Sequence, residues 1–218
     1  LNPLPPPPLL YLITDRRAFL PNLDGGEACR AQLEAIRLAA QNGVQLIQIR
    51  ERDLSARALA EFTRRAIAVA RPHGTRVLVN DRLDVALAAN ADGVHLRVNS
   101  LAAAEVREKT TNKRRDEFLI GVSTHSLAEA QAAEMGGADF IVCGPVYDTP
   151  SKHEFGAPLG LEKFAEVCQA VTLPVLALGG ITLANLSEPL RRGAAGIAAI
   201  SLFVQAGNLR KLSAIGMP

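Results

Sequence analysis

The segment Pro174-Val-Leu-Ala-Leu-Gly-Gly-Ile181 sets a short apolar run directly against a pair of glycines. A run of this length and composition, bounded by turn residues, reads as a strand buried on both faces. Two glycines immediately after it leave backbone amides that an anion can approach with no Cβ in the way. Seven further runs repeat the pattern: Leu9 to Thr14, Val44 to Arg50, Arg76 to Asn80, Gly93 to Leu96, Phe118 to Val122, Phe140 to Gly144 and Gly196 to Ser201. Stretches of helical period separate them, which is the signature of repeated βαβ units.

Eight such units fit a closed parallel barrel or an open doubly wound sheet, and the glycines favour the barrel. No G-x-G-x-x-G or G-x-x-x-x-G-K-[ST] follows the first strand, so the dinucleotide and P-loop readings lose their main support. Gly179 and Gly180 instead follow strand seven, where barrels place a phosphate together with the loop after strand eight. The expected architecture is a single-domain α/β (β/α)8 TIM barrel over residues 9–218. The proline-rich lead, residues 1–8, is expected to be extended and outside it, because proline fixes φ and lacks an amide donor.

Periodicity supports the helices. Cys29, Leu33, Ile36 and Ala40 fall on one stripe that ends at Gly43. Leu59, Phe62, Ala66 and Val69 form the next, with Ser55 as N-cap and Pro72 as stop. Ser126 and Glu129 have capping-box spacing, and Thr182 is expected to cap a helix after Ile181. Thr110 to Asp116 is polar and aperiodic, so either a short fourth helix or a mobile exit loop after it is expected.

Composition narrows the function. Aromatic residues are 4% and Trp is absent, which argues against a base-stacking platform and against nucleic acid as a partner. The net charge of +2 comes from 24 basic and 22 acidic residues without a long like-charge block, so the surface is simply solvated. No apolar run is long enough for a membrane span, and the amino terminus lacks the basic flank of a signal peptide. Cys29, Cys143 and Cys168 are odd in number and outside any zinc spacing. They read as small apolar residues in a reducing compartment, so a cytoplasmic enzyme is expected. The oligomeric state is open.

In a closed barrel the chemistry sits just past the carboxyl end of each strand. Those positions carry Thr14-Asp15, then Gln48, Arg50 and Arg52, then Asn80-Asp81, then His95. They continue with Ser123-Thr124-His125, Thr149-Pro150-Ser151-Lys152, Gly179-Gly180 and Ser201. Guanidinium forks, a lysine, hydroxyls and free amides converging on one rim suit a phosphorylated substrate. Asp81 is a candidate Mg²⁺ ligand, since that ion is usually held by one or two carboxylates with water and substrate phosphate. Competing readings are structural: Arg50 to Arg52 as a solvated strand end, Asp81 as cap of a helix starting at Arg82, and His95 as a core residue.

The ordered series Tyr11-Leu-Ile-Thr-Asp15, Gln48-Ile-Arg-Glu-Arg52, Val79-Asn-Asp-Arg82, Asp92-Gly-Val-His-Leu96, Gly121-Val-Ser-Thr-His125, Gly144-Pro-Val-Tyr-Asp-Thr-Pro-Ser-Lys152, Ala157-Pro-Leu-Gly160, Gly179-Gly-Ile181 and Ala199-Ile-Ser201 resembles the thiamine phosphate synthase and thiazole tautomerase family. The resemblance spans residues 9–205. It implies a transferase of thiamine biosynthesis that joins hydroxymethylpyrimidine diphosphate to hydroxyethylthiazole phosphate and releases pyrophosphate, with Mg²⁺ assisting. Carried over by position, Gln48, Arg50, Arg52 and Asn80 would face the pyrimidine diphosphate, Asp81 the metal, and Ser123 and Lys152 the pyrophosphate. Thr149, Ser151, Gly179, Gly180, Ile200 and Ser201 would surround the thiazole phosphate.

Two departures stand out. Arg52 replaces a family lysine, and Arg97-Val98-Asn99-Ser100 stands where the family reads Gly-Gln-Glu-Asp, so Ser100 replaces the second metal carboxylate. A neutral serine is a poor Mg²⁺ ligand, and metal affinity is expected to fall. Tautomerases lack that acidic pair and need a general acid or base, for which His125 is the candidate. The alternatives to the synthase are therefore a tautomerase of a thiazole carboxylate phosphate and a non-catalytic thiamine phosphate-binding regulator.

Overall fold

Eight parallel strands close on one another in sequence order: β1 (Leu9–Ile13), β2 (Leu46–Ile49), β3 (Arg76–Asn80), β4 (Gly93–Leu96), β5 (Leu119–Thr124), β6 (Phe140–Cys143), β7 (Val175–Leu178) and β8 (Gly196–Ala199), with β8 paired back to β1. The structure is a computed structural model and describes residues 4–110, 118–149, 157–204 and 206–214. The helices among these residues are α1 (Arg16–Phe19), α2 (Gly25–Gln41), α3 (Ala56–Ala70), α4 (Leu83–Ala89), α5 (Ala103–Lys109), α6 (Leu127–Met135), α7 (Gly160–Ala170), α8 (Ser187–Arg191), α9 (Ser201–Val204) and α10 (Ala206–Ala214). The expected (β/α)8 barrel is what forms.

Successive side chains on a strand point to opposite faces, so each strand feeds two cores. Leu9, Tyr11, Ile13, Leu46, Leu78, Leu119, Phe140, Val142, Leu176 and Ala198 fill the barrel interior. The alternate residues, among them Leu10, Ile47, Val77, Val94, Ile141 and Ile197, pack outward under the helices with Ile36, Phe62, Phe164 and Phe203. Burying one such side chain is worth roughly 1.5–3 kcal/mol, and the outer layer is the larger of the two. Inside, Tyr11 and Phe140 meet edge to face at 5.5 Å between centroids, with His95 tilted beside both. Gly121 makes room for them: a Cβ there would lie 2.4 Å from Phe140 and 2.7 Å from His95.

Helix stripes match the spacing. Leu33, Ile36 and Ala40 on α2 are buried and Cys29 is partly so, and Leu59, Phe62 and Ala66 are buried on α3 with Val69 at its edge. Ser55 caps α3 through Ala58 N, and a single 3-10 turn, Arg71–His73, carries the chain past Pro72. The Ser126 hydroxyl accepts from Glu129 N, but the Glu129 carboxylate accepts from His125 N at 2.6 Å, so the capping box is half formed.

Two expectations are corrected. Thr182 caps no helix: its amide donates to Asn185 Oδ1, its carbonyl closes a turn, and the helix of this crossover begins only at Ser187. A local side-chain acceptor at Asn185 captured the turn before a helix could start. Strand β8 ends at Ala199, and Ser201 already belongs to α9. Residues 111–117, which cover most of the polar stretch after α5, lie outside the described residues. In the amino-terminal lead, Leu4 packs against the barrel-interior cluster.

Overfilling a packed core typically costs 1–3 kcal/mol, so Gly121→Ala is expected to lower the unfolding free energy by about 2 kcal/mol. Gly25→Ala, which meets open space, should leave it nearly unchanged. Urea denaturation of the two variants checks the contrast.

Candidate active site

Strand parity sends Gln48 and Arg50 of β2 and its exit, Asn80 of β3, His95 of β4, Ser123 of β5 and Ile200 after β8 toward the barrel axis near its carboxyl end, with Asn80 paired directly to His95. Gln48 Nε2 donates to Asn80 Oδ1 at 3.3 Å. Arg50 is fixed twice: its amide donates to the buried Thr14 hydroxyl at 2.9 Å, and Nη1 donates to Asp15 Oδ2 at 2.8 Å. Asp15 in turn accepts from Ala18 N, so the first turn of α1 helps to aim Arg50.

The Arg50-Glu51-Arg52 stretch divides three ways, and the solvated strand end does not describe it. Glu51 is buried and paired with the equally buried Arg16 at 2.9 Å, while Arg16 also grips Asp53 at 2.6 Å. This pair ties the loop after β1 to the loop after β2. Arg52 has no ion-pair partner among the described residues. Burial, then the like charges of Arg50 and Arg97, hold its guanidinium below the usual arginine range. An unpaired cation beside like charges attracts anions.

Asp81 sits at φ 63°, an unusual place for a side-chain-bearing residue, and its amide donates to His95 O at 2.8 Å. It does not cap α4, whose N-cap is Arg82 without a side-chain bond. Its carboxylate is taken up locally. Arg97 Nε donates to Oδ2 at 3.0 Å, Arg97 Nη2 donates to the same oxygen, and the Ser100 hydroxyl donates to Oδ1. Arg52, Asn80, Asp81, Arg82 and Arg97 line a cleft of about 210 Å³ over an apolar floor that includes Leu54 and Leu59.

At β5, the Ser123 hydroxyl is 2.9 Å from His95 Nε2, and the Tyr11 hydroxyl is 3.2 Å from His95 Nδ1. His95 is thus a core residue, and burial pushes its pKa down to about 3, so the ring is neutral. A neutral imidazole donates from one nitrogen and accepts at the other, which makes Tyr11, His95 and Ser123 a directional chain from core to mouth. His125 is exposed, its amide held by Glu129 and its Nδ1 against Gly144 O.

On the far side, Gly179 and Gly180 lie at φ 98° and 66°. A Cβ on the first would meet Pro145 at 2.5 Å and on the second Tyr147 at 2.6 Å. Glycine is required at both for the loop after β6 to lie across the end of β7. That loop is held by Val146 N to Leu178 O, Tyr147 N to Gly179 O, and Tyr147 Oη donating to Glu188 at 2.5 Å. Among the described residues no acceptor meets the Gly180 amide, and the β7–β8 register sets Gly180 opposite Ile200, beside Ser201. Thr149 ends the described part of this loop; Ser151 and Lys152 lie outside the described residues.

Residues 10–203 of this chain match the family described as thiamine monophosphate synthase. The chain belongs to that family. It is 39% identical over 208 residues to the thiamine-phosphate synthase of Roseiflexus castenholzii, covering 94% of this chain and 86% of the relative. To that of Chloroflexus aurantiacus it is 38% identical over 200 residues, covering 92% and 87%. The solved thiamine phosphate pyrophosphorylase from Pyrococcus furiosus superposes with a TM-score of 0.78 at 32% identity, covering 96% of this chain and 97% of that one.

Members of the thiamine monophosphate synthase family are generally Mg²⁺-dependent. The donor set here does not fit that ion. Mg²⁺ demands oxygen ligands in near-ideal octahedral geometry, whereas both Asp81 oxygens are engaged, one of them by a cation. No cluster of three carboxylate, histidine or cysteine side chains exists among the described residues. Burial also pushes the Cys143 thiol up to about 11 and the Cys168 thiol up to about 12, which disfavours the thiolate at both.

The expectation that chemistry follows each strand found Arg50, Asn80, Asp81, Ser123 and Gly180 on one barrel end. It passed over Arg97, although Arg97 directly follows β4 and the same rule selects it. Nothing local marked Glu51 as buried, because its partner Arg16 is 35 residues away.

Breaking a buried ion pair costs about 3–5 kcal/mol, and Asp53 would still hold Arg16, so Glu51→Ala is expected to destabilise by about 3 kcal/mol in chemical denaturation. His95 supplies a pH test. The unfolded chain binds a proton on this ring near 6.5 and the folded chain resists until about 3, so folding loses free energy as pH falls through that window. A His95→Gln variant should show a flatter dependence of stability on pH between about 6 and 4, and parallel curves would sink the assignment.

Proposed function

We propose that this protein is the synthase that joins hydroxymethylpyrimidine diphosphate to hydroxyethylthiazole phosphate, releasing pyrophosphate and forming thiamine phosphate. The unpaired guanidinium of Arg52, beside Arg50 and Arg97 in the cleft at the barrel's carboxyl end, carries this reading. Family membership and full-length similarity to named synthases support it.

The reaction breaks the bond between the pyrimidine methylene carbon and the diphosphate oxygen and forms one from that carbon to the thiazole nitrogen. Positive charge develops on the methylene and negative charge on the departing oxygens, so donors fixed around the latter lower the barrier. Gln48, Arg50, Arg52 and Asn80 are assigned to the pyrimidine diphosphate. Arg50 enters this role already oriented by Thr14 and Asp15, so little ordering remains to be done on binding. Ser123, backed by neutral His95, and Lys152 are assigned to the leaving pyrophosphate. Thr149, Ser151, Gly179, Gly180, Ile200 and Ser201 are assigned to the thiazole phosphate, with the Gly180 amide as a donor. His125 is placed at the rim, where the synthase reaction needs no proton abstraction from it.

No helix among the described residues is long and apolar enough to cross a membrane. Phosphorylated, water-soluble substrates accord with a cytoplasmic site of action.

Incubation with both phosphorylated halves should yield thiamine phosphate and one equivalent of pyrophosphate; isomerisation of a thiazole carboxylate phosphate with no coupled product would overturn the proposal. A hydrogen bond to a charged group is worth roughly 1.5–3 kcal/mol, so Arg52→Ala is expected to lower kcat/KM for the pyrimidine diphosphate about 10- to 100-fold. His125→Ala should stay within about threefold, whereas loss of a general base would typically cost a hundredfold or more.

A further inference from the structure

We propose that Arg97, clasped by Asp81 and Ser100, takes the place of a divalent cation in this site and that the diphosphate is held without metal. The inference deepens the synthase reading and rests on it for the identity of the substrate, but not for the binding of the anion.

The three residues form a closed unit. Ser100 N donates to Arg97 O at 3.0 Å, Arg97 N donates to Ser100 Oγ at 2.9 Å, and Ser100 Oγ and the guanidinium divide the two oxygens of Asp81 between them. Asp81 is itself pinned by its bond to His95 O in a backbone conformation that non-glycine residues rarely adopt. Such a conformation persists only where its surroundings hold it, and here it aims a carboxylate at Arg97. The clasp uses Nε and Nη2 of Arg97, and among the described residues the Nη1 donors meet no acceptor. The side chain is 53% exposed and lines the same cleft as Arg52 and Asn80.

A divalent ion entering here would have to displace a guanidinium from one Asp81 oxygen and a hydroxyl from the other. It would then sit among Arg52, Arg82 and Arg97 facing Asp81, because the other carboxylate lining the cleft, Glu51, is already taken up by Arg16. Coulomb repulsion opposes that exchange, while a phosphate oxygen approaching the free edge of Arg97 meets attraction from the same charges. Guanidinium also suits the role chemically: it is protonated at all working pH, and its fork matches phosphate oxygens. Ser100 cannot supply the missing anionic ligand, but its hydroxyl is the right length to complete the clasp.

Calorimetry with inorganic pyrophosphate tests the assignment on the intact chain. Wild-type protein in excess EDTA should bind pyrophosphate, and replacing EDTA by excess Mg²⁺ should not tighten binding by more than about threefold. Arg97→Ala should weaken binding in EDTA by roughly tenfold or more, and Arg97→Lys by less, because charge is kept while the fork is lost. The double substitution Arg97→Gly with Ser100→Asp should make pyrophosphate binding Mg²⁺-dependent, and circular dichroism should show each variant folded. Wild-type binding that requires Mg²⁺, or Arg97→Ala binding as tightly as wild type in EDTA, overturns the inference. Turnover of the two phosphorylated halves in EDTA is the companion readout. Coupling seen only with Mg²⁺ defeats the inference while sparing the synthase reading, and no coupling in either buffer, with pyrophosphate still bound through Arg97, does the reverse.

Discussion

Closure of eight parallel strands leaves a side chain two directions, toward the axis or toward the helices, and everything in the site depends on that constraint. Alternation along β2 makes Leu46 interior core, Gln48 the next layer and Arg50 the rim. The same parity on β3 to β5 lines Asn80, His95 and Ser123 along the axis. Apolar residues fill the lower layers and polar ones the top, so the functional groups stand on a packed floor and keep their spacing.

Polar groups drawn below the rim are satisfied in ways that also position the mouth. The buried Arg16 and Glu51 would be costly alone, and their pairing fixes the β1 and β2 exit loops to each other. Arg50 lies between these loops and inherits that rigidity. His95 is buried among Tyr11 and Phe140, and its two ring nitrogens are matched by the Tyr11 and Ser123 hydroxyls. The result is a serine whose hydroxyl oxygen is tethered from beneath, without a charge in the core.

Charge at the mouth is arranged asymmetrically. Arg50, Arg82 and Arg97 each have a carboxylate partner, on Asp15, Asp84 and Asp81, while Arg52 has none among the described residues. The pairs hold three cations in place at modest electrostatic cost, and the fourth leaves a net attraction for an anion. Across the barrel, Gly179 and Gly180 bring backbone rather than side chain to the surface, so the two sides of the mouth differ in chemistry, guanidinium on one and backbone amide on the other.

Strand order, barrel closure and the rim position of Arg50, Asp81, Ser123 and Gly180 were legible in the chain, because short apolar runs bounded by turn residues and the glycines after β7 are local signals. The polar residues after each strand also carried the family resemblance unaided. Helix starts were less legible: Thr182 looks like a cap until Asn185 competes for the turn. What only the tertiary structure decided was which charges meet. Arg16 and Glu51 are 35 positions apart and Asp81 and Arg97 are 16 apart. Sequence spacing records nothing of that distance in space, and a carboxylate's role as metal ligand or as arginine clasp follows from whichever cation the fold brings to it.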